Sequence, residues 1–310
     1  MSRAQPPHGI AALTTELANP RTADLDSMPI DELLRTMNAE DAGVASAVAQ
    51  AIPAITRAVE RIVDARRRGG RLIYIGAGTS GRLGLLDAVE CPPTFGTDPA
   101  EVLGLIAGGA DAFTRAIEGA EDDPDRAEQD LAAVHLTAAD AVVALAASGR
   151  TPYAIGALRY ARTIGATAIA ISCNRNAETS AHADVAIEIE TGPEILTGST
   201  RLKAGTAQKM VCNMLTTATM VRSGKVYGNL MVDLNPTNAK LTDRARRIVA
   251  AATDLDLPTA ATLLAAADNH PKIAIVMHLA GVDAPTARTL LAQSHGFVRP
   301  VIDASTTLEQ

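Results

Sequence analysis

The sequence has 310 residues, of which 47% are hydrophobic, 20% charged and only 2% aromatic, and its formal net charge is −7. That length fits one large domain with a satellite, or two domains. No basic stripe with interleaved aromatics occurs, which argues against a nucleic-acid partner, and with tryptophan absent the core must be built from Ala, Val, Leu, Ile and Met. Cys91, Cys173 and Cys212 are scattered and odd in number, so neither a disulfide framework nor a zinc site is expected. The first residues lack the apolar stretch of a signal peptide, and no run of about eighteen apolar residues is read as a bilayer span. The expectation is a cytoplasmic protein that makes no membrane contact and needs no metal.

Taken in chain order, residues 1–28 are polar and proline-dotted and read as an extended arm. Helical spacing begins near Ile30 and continues through Val44, Val48, Ile52, Ile55, Val59 and Ile62, with Pro53 expected to start a new helix or kink this one. Gly69-Gly70 ends the segment. Strand-like apolar runs come next at residues 71–75, 102–107, 141–147, 167–172 and 184–190, most of them separated by helical stretches. Continuous apolar strands alternating with helices predict a doubly wound parallel sheet covered on both faces, a three-layer α/β fold. A long helix is predicted from about 198 to 223. Residues 242–296 read as short helices capped at Thr242 and Asp283, with breaks near Pro258, His270-Pro271 and Gly281. The expected organisation is an N-terminal arm and helices over 1–55, a sheet domain over 56–223 and a helical region over 224–310.

Two glycine-rich loops come directly after strand-like runs: Gly76-Ala-Gly78-Thr79-Ser80-Gly81-Arg82 and Ala147-Ser148-Gly149-Arg150-Thr151-Pro152. Each reads as strand, tight turn, helix. A helix N-terminus carries unpaired N–H groups and a positive dipole end, and Ser and Thr hydroxyls add donors without bulk, so both loops suit a phosphate. The first formally matches the dinucleotide fingerprint, but the next segment, Glu90-Cys-Pro-Pro-Thr-Phe-Gly, is not the strand with an acidic end that a nicotinamide site requires. Glu90 is compatible with a plain surface carboxylate. It is equally compatible with a general acid whose pKa is raised by a helix C-terminus and by partial burial beside Pro92, Pro93 and Phe95. The acidic run Glu118-Gly-Ala-Glu121-Asp-Asp reads by itself as a solvated helix entry. Lys203 and Lys209 could meet an anion or face water, and the six histidines show no metal-ligand spacing.

Taken together, the blocks 71–84, 90–96, 118–123, 147–153, 192–209 and 224–240 resemble the N-acetylmuramic acid 6-phosphate etherase family within the sugar isomerase (SIS) fold superfamily. The most specific strings are Glu90-Cys-Pro-Pro-Thr-Phe-Gly and Gly198-Ser-Thr-Arg-Leu-Lys-Ala-Gly-Thr-Ala-Gln-Lys. Val89 stands where the family more commonly has serine, and the arm at Thr15-Glu-Leu-Ala-Asn-Pro-Arg-Thr departs slightly from its usual wording. The resemblance implies a carbon–oxygen lyase that cleaves the lactyl ether of N-acetylmuramic acid 6-phosphate to N-acetylglucosamine 6-phosphate and D-lactate, in cell-wall sugar recycling. It implies no cofactor, and it maps the proton donor onto Glu90 and a second active-site glutamate onto Glu121, against the bland reading of the acidic run. The phosphosugar is then expected against Gly78, Thr79, Ser80, Ser148, Gly149 and Thr151, with Lys203 a further candidate for the sugar. A single domain of this superfamily usually pairs with a copy of itself, so a homodimer is expected. Rival readings are a phosphosugar isomerase, which leaves the Glu-Cys-Pro-Pro-Thr-Phe-Gly string unexplained, and a non-catalytic phosphosugar sensor.

Overall fold

The computed structural model describes residues 9–308 and divides into two compact units, residues 1–89 with 100–216, and residues 90–99 with 217–310. In the first unit, helix α1 (Ile30–Arg67) leads into β1 (Leu72–Gly76). Next in the chain are helix α2 (Gly78–Phe95), β2 (Val102–Ile106), α3 (Pro124–Ala133), β3 (Ala141–Leu145), α4 (Pro152–Ile164), β4 (Thr167–Ser172), β5 (Val185–Glu188) and α5 (Lys203–Val221). All five predicted strands are present, and they form one parallel sheet in the order β2-β1-β3-β4-β5. The doubly wound α/β expectation holds. Strands β1 and β3 are buried along their whole length, as the continuous apolar runs require.

Alternation along the strands sends side chains to two faces. On one, Ile73, Ile75, Val142, Ala144, Ala168 and Ala170 pack with Ala127 and Leu131 of α3 and with Tyr153, Ala157 and Leu158 of α4. The Tyr153 hydroxyl donates to Asp130 Oδ2 at 2.7 Å and ties α4 to α3. On the other face the Tyr74 hydroxyl donates to the Cys212 carbonyl of α5.

Asp140 sits at the entrance to β3 and is 1% exposed. Its carboxylate accepts from the Arg71 amide at 2.7 Å, from Arg71 Nε and Nη2, and from the Thr137 amide and hydroxyl. Burial alone would raise its pKa, but the Arg71 guanidinium and the two amides outweigh it and hold the group below the usual range.

Four local expectations change. The helix α1 runs through Pro53 rather than restarting there. By length and composition it is also apolar enough to cross a membrane, contrary to the reading of no such run. In the fold its Val44, Val48, Ala51, Ile55, Ala58 and Ile62 are buried, and the helix packs on β1, β3, β4 and β5. The described part of the N-terminal arm is not extended. It forms three short 3₁₀ turns (Gly9–Ala12, Thr14–Glu16, Pro20–Thr22), and Thr14 and Thr22 donate their hydroxyls to Asn174 Oδ1 and the Ile195 carbonyl. Residues 1–8 lie outside the described residues. Finally, α2 continues through Pro92 and Pro93 to Phe95, because buried Cys91 and Phe95 anchor a turn that has lost two amide donors.

The second unit adds α6 (Ala239–Thr253), α7 (Leu257–Ala266), α8 (Pro271–Leu279), α9 (Ala284–Gln293) and α10 (Val298–Leu308) around their own apolar core. Asp283 caps α9 as predicted, but the cap of α6 is Asn238 rather than Thr242. Helix α10 extends the helical region beyond 296.

Replacing Asp140 with Asn removes the charge that both Arg71 and the strand entrance require. It is expected to cost about 3 kcal/mol in urea unfolding at pH 7. Because the folded-state pKa is depressed, this stabilisation is complete above the ordinary carboxylate pKa and is lost as pH falls through the folded value. The gap between wild type and Asp140→Asn should therefore narrow in acid.

Candidate active site

In the order β2-β1-β3-β4-β5 the chain leaves β1 toward one edge and β3 toward the other, so β1 and β3 flank the topological switch point. Open α/β sheets bind ligands there, outside the carboxyl ends of the strands. Gly76 pairs with Leu145 in register, which sets the two glycine loops side by side. Tertiary structure thus joins two segments about 70 residues apart in sequence.

The first loop turns at Gly78, whose φ of 53° is in the left-handed region, and enters α2 with the first helical bond running from Gly81 N–H to Ala77 C=O. The amides before Gly81 are the orphan donors of the helix start. Thr79 is half-buried and its hydroxyl has no partner among the described residues. Ser80 is different: it is buried, and its hydroxyl donates to Gln208 Oε1 at 2.9 Å. Gln208 is itself fully buried, and its Nε2 has no partner.

In the second loop Gly149 has φ of 71°, and a Cβ there would lie 2.4 Å from the Ala177 Cβ. Both the conformation and the close approach demand glycine. Ser148 Oγ accepts from the Arg150 amide. Thr151 occupies the N-cap of α4, yet its side chain makes no capping bond, leaving the hydroxyl available. Asn174, 2% exposed at the end of β4, donates Nδ2 to the Ala147 and Ser148 carbonyls at 3.1 and 3.3 Å and to Thr15 Oγ1. No motif marks Asn174 in the sequence, yet it pins the second loop and the N-terminal turns together.

Glu121 lies on a short 3₁₀ turn (Ala120–Asp122) just before α3 and is exposed. It lines a cavity of about 180 Å³ with Gly78, Arg82, Arg115 and Glu118, so the acidic run does meet the first loop. The acidic residues of the run are all solvent-exposed, as a helix entry would be, and Asp123 caps α3 through the Asp125 and Arg126 amides. Glu90 is exposed on α2 and groups with the second compact unit. It is not buried beside Pro92, Pro93 and Phe95, and the helix continues past it by five residues.

Lys203 is engaged inside the fold. It is 4% exposed, and its ammonium donates to Glu40 Oε2 at 2.8 Å, with Arg21 also paired to Glu40. This pairing commits one of the ammonium's donors to a buried carboxylate. The pair, together with Glu194 accepting from the Lys203 and Ala204 amides, fixes the start of α5. Burial raises the pKa of Glu194, opposed by those two amides. Gly205, in that first turn of α5, lies beside the Thr79 methyl, so Lys203 bears on the first loop indirectly. Nothing in its spacing distinguishes the two roles. Among the described residues no group of three or more His, Cys, Asp or Glu side chains is placed to hold a metal ion.

Comparison with known proteins gives concordant matches. Residues 54–162 match the glucokinase regulatory protein N-terminal SIS domain, and residues 124–218 match the SIS domain. The N-acetylmuramic acid 6-phosphate etherase of Mycolicibacterium smegmatis is 60% identical over 95% of this chain and 99% of its own length. The enzymes of the same description from Exiguobacterium sp. and Photorhabdus laumondii are 57% and 54% identical, each over 94% of this chain and 99% and 97% of their own.

Gly149→Ala should force the second loop out of its left-handed turn. The expected outcome is a stability loss of about 1–3 kcal/mol and weakened binding of inorganic phosphate, measured by thermal unfolding and calorimetry.

Proposed function

The chain belongs to the N-acetylmuramic acid 6-phosphate etherase family, and on that premise we propose that it cleaves the lactyl ether of N-acetylmuramic acid 6-phosphate, releasing N-acetylglucosamine 6-phosphate and D-lactate. The observation that carries the reading is the pair of hydroxyl-rich helix starts at the β1/β3 switch point, with Glu121 lining the adjoining cavity. Phosphate sits against Gly78, Thr79, Ser148, Gly149 and Thr151, with Ser80 contributing its amide because its hydroxyl serves Gln208. Binding the phosphate uses contacts remote from the reacting carbons to position them.

An ether is hard to break because an alkoxide leaves poorly. Opening the sugar to its aldehyde acidifies the hydrogen at C2, beside the carbonyl. A base removes that proton while an acid protonates the departing lactyl oxygen at C3, and the C3–O bond breaks as the C2–C3 double bond forms. Water then adds at C3 of the conjugated system and restores a proton at C2. We assign Glu90 as the acid for lactate departure and Glu121 as the base. Each positioned proton transfer typically contributes about 10²–10⁴-fold.

The same reading makes the protein a cytoplasmic homodimer. Three buried free thiols accord with a reducing compartment. The outer side of α1 accords with self-association: residues 42–56 contain no ionisable side chain, and Ile52 is 49% exposed. Ile52→Glu should shift the protein toward monomer in sedimentation velocity; an unchanged mass would reject this face as the dimer contact.

The decisive assay is D-lactate release from N-acetylmuramic acid 6-phosphate. Wild type should release it, Glu90→Gln and Glu121→Gln should lower kcat by about 10²–10⁴-fold, and Ser148→Ala should chiefly raise KM, by about tenfold. Binding of the substrate by wild type with no lactate released would instead mark a phosphosugar sensor.

A further inference from the structure

The cavity beside the first loop holds two arginines with opposite commitments. Arg82, on the first turn of α2, spends its guanidinium on the backbone: Nε donates to the Phe113 carbonyl at 2.9 Å, and Nη2 donates to the carbonyls of Ala112 at 2.7 Å and Arg115 at 3.1 Å. This fork staples the segment before the acidic run to α2. Arg115 has its carbonyl held by that staple and its amide bonded to the Asp111 carbonyl. Its guanidinium, however, has no hydrogen-bond or ion-pair partner among the described residues, and it is exposed on the wall that also carries Glu118 and Glu121.

Resting on the proposed activity, we infer that Arg115 is the specificity residue that binds the lactyl carboxylate of the substrate. Three observations converge on this role. The substrate carries two anionic groups at opposite ends: the phosphate on C6, for which the glycine loops are built, and the lactyl carboxylate on the C3 ether. The carboxylate must come close to whichever groups act on C2 and C3, and a wall bearing Glu118 and Glu121 repels it unless a cation stands there. Arg82 is also a cation on this wall, but its Nε and Nη2 are spent on three carbonyls and only Nη1 is left to donate, whereas the whole fork of Arg115 is uncommitted. A guanidinium also matches a carboxylate in bidentate geometry. Backbone stapling by Arg82 fixes the point on the cavity wall from which the Arg115 side chain reaches out. The product sugar phosphate lacks the carboxylate, so Arg115 distinguishes substrate from product: it adds affinity before cleavage and nothing once D-lactate has left.

The test compares KM for N-acetylmuramic acid 6-phosphate with the inhibition constant of N-acetylglucosamine 6-phosphate, in wild type, Arg115→Gln and Arg115→Lys. Wild type must first release D-lactate; if it does not, the proposed activity fails, independently of Arg115. Given an active wild type, Arg115→Gln should raise KM about 10- to 100-fold while leaving the product's inhibition constant within about twofold. Arg115→Lys should recover part of the loss, since it restores the charge without the fork. Thermal unfolding should be unchanged, because the guanidinium makes no internal bond. Equal losses for substrate and product would mean that Arg115 serves the phosphate or the loop, and no loss for either would mean that it faces water; both results overturn the inference. A fall in kcat with KM unchanged would also overturn it.

Discussion

The pairing of Arg71 with Asp140 at the foot of the two central strands governs the geometry at their carboxyl ends. Asp140 takes the Arg71 amide and guanidinium at once, and the Ala141 amide returns a bond of 2.8 Å to the Arg71 carbonyl. With their entrances locked, β1 and β3 run in one register and end level with one another, Gly76 beside Leu145. A slip of one residue would turn every side chain of a strand to the wrong face and part the two loops. A buried charge pair is a costly way to gain stability, but it tolerates little alternative geometry. Here it sets the register on which the phosphate cradle depends.

Above that base, the site is assembled from helix starts and from residues that hold them. Asn174 fastens the second loop, Glu194 and the Glu40–Lys203 pair fasten the beginning of α5, and Arg82 fastens the segment that leads to Glu121. Asn174, Glu194 and Arg82 each satisfy backbone groups of a turn that has no regular ladder of its own, and the Glu40–Lys203 pair adds a side-chain tie. The groups left unsatisfied, the Thr79 and Thr151 hydroxyls and the first-turn amides, are the ones a phosphate would use. Rigid support and unfilled donors thus go together, as preorganised binding requires.

Much of this was legible in the chain. Strands β1, β3 and β4 are legible as continuous apolar runs because a strand buried on both faces cannot alternate, whereas β5 at the sheet edge alternates in burial. The loops at Gly78 and Gly149 were legible because hydroxyl-flanked glycines after such runs have few other uses. Glu121 was not distinguishable from its acidic neighbours by spacing, and only the resemblance to a family singled it out. The partner of Lys203 is not legible in the sequence, because it is set by a distant residue, Glu40, 163 positions away. Pro92 and Pro93 suggested a helix end, yet side-chain burial at Cys91 and Phe95 outweighed the lost backbone bonds.

What the sequence determined by itself was local and periodic: the alternation of strands and helices, the places where the chain must turn through glycine, and the chemical kinds of donor at those turns. These arise from propensities and from patterns that repeat within a few residues. Tertiary structure decided which turns meet, which charges are spent on the scaffold and which remain for a ligand. Arg82 and Arg115 are both arginines near the same loop, and nothing in their neighbours' identity separates them. Only the fold brings three carbonyls to one guanidinium and none to the other, because hydrogen bonds across a cavity depend on the packing of segments that the sequence keeps apart.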